Sequence, residues 1–300
     1  MDLNVLQSFL SFLGNSFLFS FIIILVGFIL GWLLYDNVVT RKISLKDSLF
    51  EKDNPAAWVE FIGAFVYPTL YLAAKAVEGS ASDIWWLDLL ICTGYVVAYV
   101  ILFTVLRLFS SVIVRFFNVK DEGGKVSLNN EIYQQKNISA ALFSVALSTI
   151  FVTMIRFLDL DPEYYLNSLL KASSVLILTL MAVIVYLLVL GRKTTLFKEV
   201  FIDNNIAAGA AFLGFIFAVE LLFSNAIIIH TGYNFLELIG ITFISLAVFG
   251  ILAALFKNLF TKLIKVDIML EIYEQNNVGA AFGQIALYVG IANVIIHFMK

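Results

Sequence analysis

Eight runs of mostly apolar residues divide this chain, at roughly 13–36, 56–78, 85–109, 138–158, 167–190, 206–230, 235–257 and 278–298. A transmembrane helix needs about 20 such residues. In lipid the backbone must also satisfy its own N–H and C=O groups, which an isolated run achieves only as a helix. The pattern restricts the fold to one class, an all-α integral membrane protein with eight transmembrane helices. Composition agrees, with 61% of residues hydrophobic, 15% aromatic and 14% charged. The connections are too short to hold a separate soluble domain. The first run is too long for a signal-peptide core and lacks a basic flank, so it reads as a retained helix.

Four of the runs begin alike. Asn54-Pro55-Ala56-Ala57, Asn137-Ile138-Ser139-Ala140, Asn205-Ile206-Ala207-Ala208 and Asn277-Val278-Gly279-Ala280 each open an apolar stretch. The second and fourth also share what precedes them, since Glu131-Ile132-Tyr133-Gln134-Gln135 is matched by Glu271-Ile272-Tyr273-Glu274-Gln275. The chain is an internal repeat. Helices 1 to 4 correspond to helices 5 to 8, and the motif recurs within each half. A quarter is therefore a helix hairpin whose second helix starts at the Asn. Because four helices per half is an even number, the halves share one orientation. The expected architecture is two parallel-oriented four-helix repeats, residues 1–160 and 161–300, related by a pseudo-axis along the membrane normal.

The Asn-Asn-x-Ala-Ala start, plainest at Asn204-Asn205-Ile206-Ala207-Ala208, occurs with four helices per unit and twice in each unit. In this the chain resembles the uncharacterised bacterial inner-membrane family whose short member is called YjfL. Two tandem copies would cover nearly all 300 residues. The first start departs from the pattern with Asp53-Asn54-Pro55 and the second with Lys136-Asn137. The resemblance implies a bacterial inner-membrane location and a context of polyamine-related and envelope-stress genes. It implies no activity, because the family is itself classed by unknown function.

Positively charged short loops stay cytoplasmic, and 15 of the 19 Lys and Arg residues lie in odd-to-even connections or at their edges: Arg41, Lys42, Lys46 and Lys52; Arg107, Arg115, Lys120, Lys125 and Lys136; Arg192, Lys193 and Lys198; Lys257, Lys262 and Lys265. Both termini are expected in the periplasm and all four Asn motifs in the cytoplasm. The net charge of −3 suggests no nucleic-acid partner; the basic residues read as flanks of apolar helices facing the bilayer. A single cysteine, Cys92, excludes an intrachain disulfide and a two-cysteine redox or metal site.

Asn is a favoured N-cap, and Pro55 suits the first helical position. Small residues just beyond permit close helix packing. Capping plus packing is thus one reading of Asn54, Asn137, Asn205 and Asn277; the other is that four positive helix ends converge on a vestibule that attracts an anion. Ionisable groups at membrane depth are site candidates. Glu60 lies about 9 Å beyond its Asn at 1.5 Å per residue, close enough to the interface to be solvated. Glu220 lies about 22 Å along its helix, with no basic residue near it in sequence; its counterpart Thr69 follows Pro68, a kink site. Asp88 and Glu237 hold matching places near the outer ends of helices 3 and 7. His230 and His297 would differ in height by about 7 Å, which argues against a shared metal or haem. Asn293, Gln284 and Thr153 read as interhelical hydrogen-bonding residues. Trp85 and Trp86 read as part of an interfacial belt, and Gly123-Gly124 as a turn.

No catalytic signature occurs: there is no H-E-x-x-H, G-x-S-x-G, Walker A or dinucleotide fingerprint. No cofactor is expected. The residues favour a non-enzymatic channel or transporter-like pore for ions or small cations. The alternative is a membrane scaffold recruiting cytoplasmic protein partners in an envelope-stress system. A homo-oligomer is also expected, at least for single-unit relatives. A continuous polar path from the Asn caps to Glu220 would favour transport; a dry centre packed with Ala and Gly would favour the scaffold.

Overall fold

A computed structural model describes residues 3–41, 43–78, 84–116, 120–121, 124–159, 164–190, 196–229 and 235–299. It contains the eight helices, each long and apolar enough to cross a membrane. Each quarter has the same three parts. An outer helix comes first: α1 (Leu3–Leu34), α3 (Trp85–Phe116), α6 (Tyr165–Leu190) or α9 (Phe235–Ile264). A short turn of helix follows. In the first quarter it is a wide π-helical turn, Asp47–Glu51; in the others it is α4 (Leu128–Tyr133), α7 (Leu196–Phe201) or α10 (Ile268–Tyr273). An inner helix closes the quarter: α2 (Pro55–Glu78), α5 (Ile138–Arg156), α8 (Ile206–Ile229) or α11 (Val278–Met299). A two-residue antiparallel pair, Lys120–Asp121 with Gly124–Lys125, precedes α4; Gly123 lies outside the described residues.

The junction between short turn and inner helix explains the motif. The residue before each Asn turns the chain through a left-handed conformation, with φ of 44° at Asp53, 55° at Lys136, 48° at Asn204 and 51° at Asn276. Asp and Asn tolerate this region better than most L residues, which accounts for three of the four. The next N–H, that of the motif Asn, bonds back to the carbonyl of Ser48, Glu131, Glu199 or Glu271. The Asn side chain then accepts from the first free N–H groups of the inner helix, at 3.0 Å from Ala56, 2.9 Å from Ala140, 2.9 Å from Ala208 and 3.2 Å from Ala280. Capping is real in all four quarters.

The inner helices pack in chain order, α2 on α5, α5 on α8 and α8 on α11. The outer helices flank them: α3 touches α1, α2 and α5; α6 touches α5, α8 and α9; α9 touches α8 and α11. Lipid supplies no hydrophobic drive between helices, so close approach and polar bonds must hold the layer together. Small residues permit the approach. Ala56, Ala57, Ala140, Ala141, Ala207, Ala208 and Ala281 have no exposed surface. A Cβ on Gly63 would lie 2.7 Å from Val145 Cγ1, and one on Gly214 would lie 2.9 Å from Ile285 Cβ. Helix α2 carries one irregularity, a π-helical turn at Ile62–Val66 just before Pro68. Pro68 lacks an N–H and its ring clashes with a regular preceding turn, so the expected kink is resolved as a widened turn.

Candidate functional site

The four motif Asn residues form a row in which each binds the next quarter. Asn54 Nδ2 donates to Ile132 O at 2.9 Å, Asn137 Nδ2 to Val200 O at 3.0 Å, and Asn205 Nδ2 to Ile272 O at 3.0 Å. Each carbonyl belongs to the end of the following short helix. From the second quarter on, a carboxylate of the same quarter also receives the amide: Glu131 for Asn137, Glu199 for Asn205 and Glu271 for Asn277. Asn54, Asn137 and Asn205 are buried, whereas Asn277 is exposed. Three of the four amides are therefore occupied by backbone carbonyls, and the surroundings of Asn205 are acidic, with Glu199, Asp203 and Glu274 lining the cleft beside it. This is an environment for junction bonds more than for an anion.

Glu60 departs from the solvated position expected of it. It is fully buried, as is Arg107 of α3, and the two form an ion pair in which both Arg107 Nε, at 3.0 Å, and Arg107 Nη2 donate to Glu60 Oε1. Tyr35 OH donates to the same oxygen at 2.5 Å and Ser144 Oγ at 3.0 Å. Four elements thus meet at one carboxylate: the turn after α1, then α2, α3 and α5. The physical reason is depth: one and a half turns inside a helix buried between neighbours, a charge is stable only when paired. Arg107, read from sequence as a loop cation, is that partner and not an anchor. Tyr133 OH lies 3.4 Å from Tyr35 OH. Tyr133, on α4 outside the spanning segments, has its phenol pushed above the ordinary range, first by burial and then by the charge of Glu60. The second half repeats the phenol pair, with Tyr186 and Tyr273 hydroxyls 2.6 Å apart. There Ala211 occupies the place of Glu60 relative to the motif Asn.

Glu220 is the other buried carboxylate, 3% exposed. Its Oε1 accepts from Thr179 Oγ1 of α6 at 2.6 Å, and Thr153 of α5 is a second hydrogen-bonding neighbour. Its Oε2 has no partner among the described residues. The side chain lines a crevice of about 190 Å³ at the end of the inner layer away from the Asn caps. Tyr67 and Tyr71 of α2, Thr149, Thr153 and Arg156 of α5, and Ser224 of α8 line it with Glu220. Between Asn205 and Glu220, α8 presents buried Ala207, Ala208, Gly209, Ala211, Phe212, Phe215 and Ala218. No polar side chain links cap to carboxylate along that helix.

The remaining expectations sort by position. Asp88 is buried in the first turn of α3 and Glu237 exposed in the first turn of α9, where a carboxylate suits the positive helix end. Asn293 and Gln284 bond within α11, to Val289 O at 3.0 Å and Tyr288 OH at 2.5 Å, and not between helices; a polar side chain finds a group one turn away more readily than one across an interface. His297 is exposed at the end of α11, and His230 lies outside the described residues. Cys92 is a buried free cysteine. No cluster of three metal-ligating side chains occurs among the described residues. Sequence reasoning missed Arg107, Glu199 and the tyrosine pairs, although Tyr133 and Tyr273 stood in the quoted repeat and Glu199 precedes Asn205 at the spacing that Glu131 and Glu271 keep from theirs.

Two consecutive regions, residues 5–156 and 163–299, match one family model, described as Domain of Unknown Function (DUF350). No curated protein and no solved structure matches the chain.

Proposed function

The chain belongs to the DUF350 family, with two copies in one polypeptide, and from that premise we propose that it is a transporter-like membrane protein that binds a small ammonium-type cation at Glu220. The observation that carries the reading is Glu220 Oε2, a buried carboxylate oxygen without a partner among the described residues, lining a crevice open to one side. Leaving such a group unpaired in a low-dielectric interior is costly, and a ligand N–H is the natural complement. The rings of Tyr67 and Tyr71 and the hydroxyls of Thr149 and Ser224 add cation-tolerant walls. Arg156 at the mouth opposes a second positive charge, so a short monoamine suits the crevice better than a diamine. With the basic loops in the cytoplasm, the crevice opens to the periplasm of a bacterial inner membrane.

A second reading is the scaffold recruiting cytoplasmic partners, favoured by the apolar packing between Asn205 and Glu220 and by the basic loops. The two separate in one assay. Protein in lipid nanodiscs is titrated calorimetrically with methylammonium, putrescine and potassium, and the same ions are followed in proteoliposomes. The cation reading expects methylammonium to bind most tightly and Glu220→Gln to weaken it at least tenfold while melting as wild type does. Equal binding by both proteins, or by neither, rejects it and leaves the scaffold.

A further inference from the structure

The three internal junctions are one interface used repeatedly, and one half of it is left exposed on the first quarter and the other half on the last. At each junction the quarter nearer the N terminus offers an Asn amide and a small residue nine places beyond that Asn. The following quarter offers short-helix carbonyls and an apolar side chain eight places beyond its own Asn. Val145 fills the notch at Gly63, and Ile285 fills the notch at Gly214. In the same register Ile62, the matching side chain of the first quarter, is 56% exposed. Ala286, the matching small residue of the last quarter, is also exposed. It lines an apolar groove of about 390 Å³ with Leu287, Gly290, Val294 and, from α9, Leu252 and Phe256. Above the groove Asn277 is the one motif Asn that is exposed. The apolar stretch of α11 is 33% buried, against 72% for α5 and 78% for α8, which have neighbours on both sides.

We propose that a second copy of this chain docks its first quarter on the last quarter of the first copy, extending the row of inner helices head to tail. Ile62 of one copy enters the groove at Ala286 and Gly290 of the other, and Asn277 donates to the turn Asp47–Glu51, whose last two residues, Phe50 and Glu51, are exposed. One detail of the first quarter is its own: Trp58 Nε1 already donates to Leu49 O at 3.1 Å, which makes Phe50 O the acceptor for Asn277. The contact joins two different faces, so it is heterologous and propagates until a ring closes in the membrane plane. Close packing through small residues is what membrane interfaces use, and the face offers Gly279, Gly283, Ala286 and Gly290 along one exposed side of α11. The proposal is independent of any ligand at Glu220.

Disulfide trapping in native membranes tests it, with two full-length variants, Ile62→Cys and Ala286→Cys, expressed separately and together. Head-to-tail docking gives a covalent dimer only when both variants are present, and a ladder of multimers when one chain carries both substitutions. A dimer from Ile62→Cys alone would mean a two-fold contact and overturn the arrangement. No intermolecular product, with a monomer in native mass spectrometry from nanodiscs, would overturn the oligomer altogether. As a second measurement, Ala286→Trp should lower the oligomer fraction at least tenfold while leaving the melting of the single chain unchanged, since Ala286 is exposed within one copy. Unchanged assembly in Ala286→Trp would equally reject the proposed face.

Discussion

Removing one partner of the Glu60–Arg107 pair should be among the most damaging single changes to this fold, and removing both should be far milder than the sum. Glu60 Oε1 receives four hydrogen bonds, two from Arg107 and one each from Tyr35 and Ser144, and neither charged side chain has exposed surface. Arg107→Met leaves a buried carboxylate with two hydroxyl donors and no countercharge. Glu60→Met leaves a buried guanidinium with none of its acceptors. Each is expected to cost about 3–5 kcal/mol, the usual penalty for stranding one member of a buried pair. The double variant strands no charge; what it loses is the acceptor for Tyr35 and Ser144, and Tyr35, which accepts from Tyr133 OH at 3.4 Å, can turn its proton to that oxygen instead. About 1–3 kcal/mol per unsatisfied group places the double variant no lower than either single. The coupling should therefore exceed about 2 kcal/mol, within the range for residues in one network. Unfolding in mixed micelles of a mild detergent and dodecyl sulfate, followed by circular dichroism, measures all four corners of the cycle. Additive losses, or single variants within about 1 kcal/mol of wild type, would mean that the pair is solvated and the argument from burial wrong.

Gly63→Ala and Gly214→Ala should each destabilise by about 1–3 kcal/mol in the same assay, because the new Cβ meets Val145 or Ile285 in a filled interface and overpacking is costly. Tyr133 and Tyr273 lie outside the spanning segments, and burial pushes both phenols above the usual value of 10.0. The unfolded chain then releases phenol protons that the folded chain keeps, so stability should hold up to about pH 10 and fall above it. Paired replacement by Phe should flatten that alkaline loss in denaturant titrations at stepped pH. Alkaline phosphatase fused after Lys300 should be active and in the 118–130 loop inactive, as the 14 basic residues on the Asn side other than the buried Arg107 require; the reverse pattern would invert the orientation.

The number of crossings, the repeat and its parallel sense were legible because each rests on a signal that is local in sequence: apolar length, an N-cap that recurs, and an even number of helices per repeat. Partnerships were not. Asn54 and Ile132 are distant in sequence, and nothing in Asn54-Pro55-Ala56-Ala57 says that its amide reaches the end of the next short helix. Glu60 was placed by height alone, and height along one helix says nothing about the neighbours that seal it. Arg107 was misassigned for the related reason that it sits on the Asn side of a long helix, where a cation normally flanks lipid. Glu220 was singled out by the absence of nearby charge in sequence, whereas in space Arg156 of the neighbouring α5 lines the same crevice.

The two halves keep one skeleton and fill it differently. Both hold a buried phenol pair between an outer helix or its end and a short helix, Tyr35 with Tyr133 and Tyr186 with Tyr273. In the first half the pair leads to Glu60, and Arg107 balances the charge. In the second half Ala211 stands where Glu60 would, and the ring of Tyr186 instead stacks on Phe215 with centroids 4.5 Å apart. Tyr186 also lines a groove of about 630 Å³ among α6, α9 and α11, apolar along its length, with Lys257 and Asn258 at its end on the Asn side. A charge pair needs cover on every side, and the first half provides it by closing the turn after α1 with α2, α3 and α5 around one oxygen. In the second half Ala211 is buried beside the phenol pair with no charge to balance, and aromatic packing borders the groove. Two identical copies could not combine these environments. One chain carrying both can hold a locked half and an open half in a fixed order, which is a physical reason for the two units to be joined.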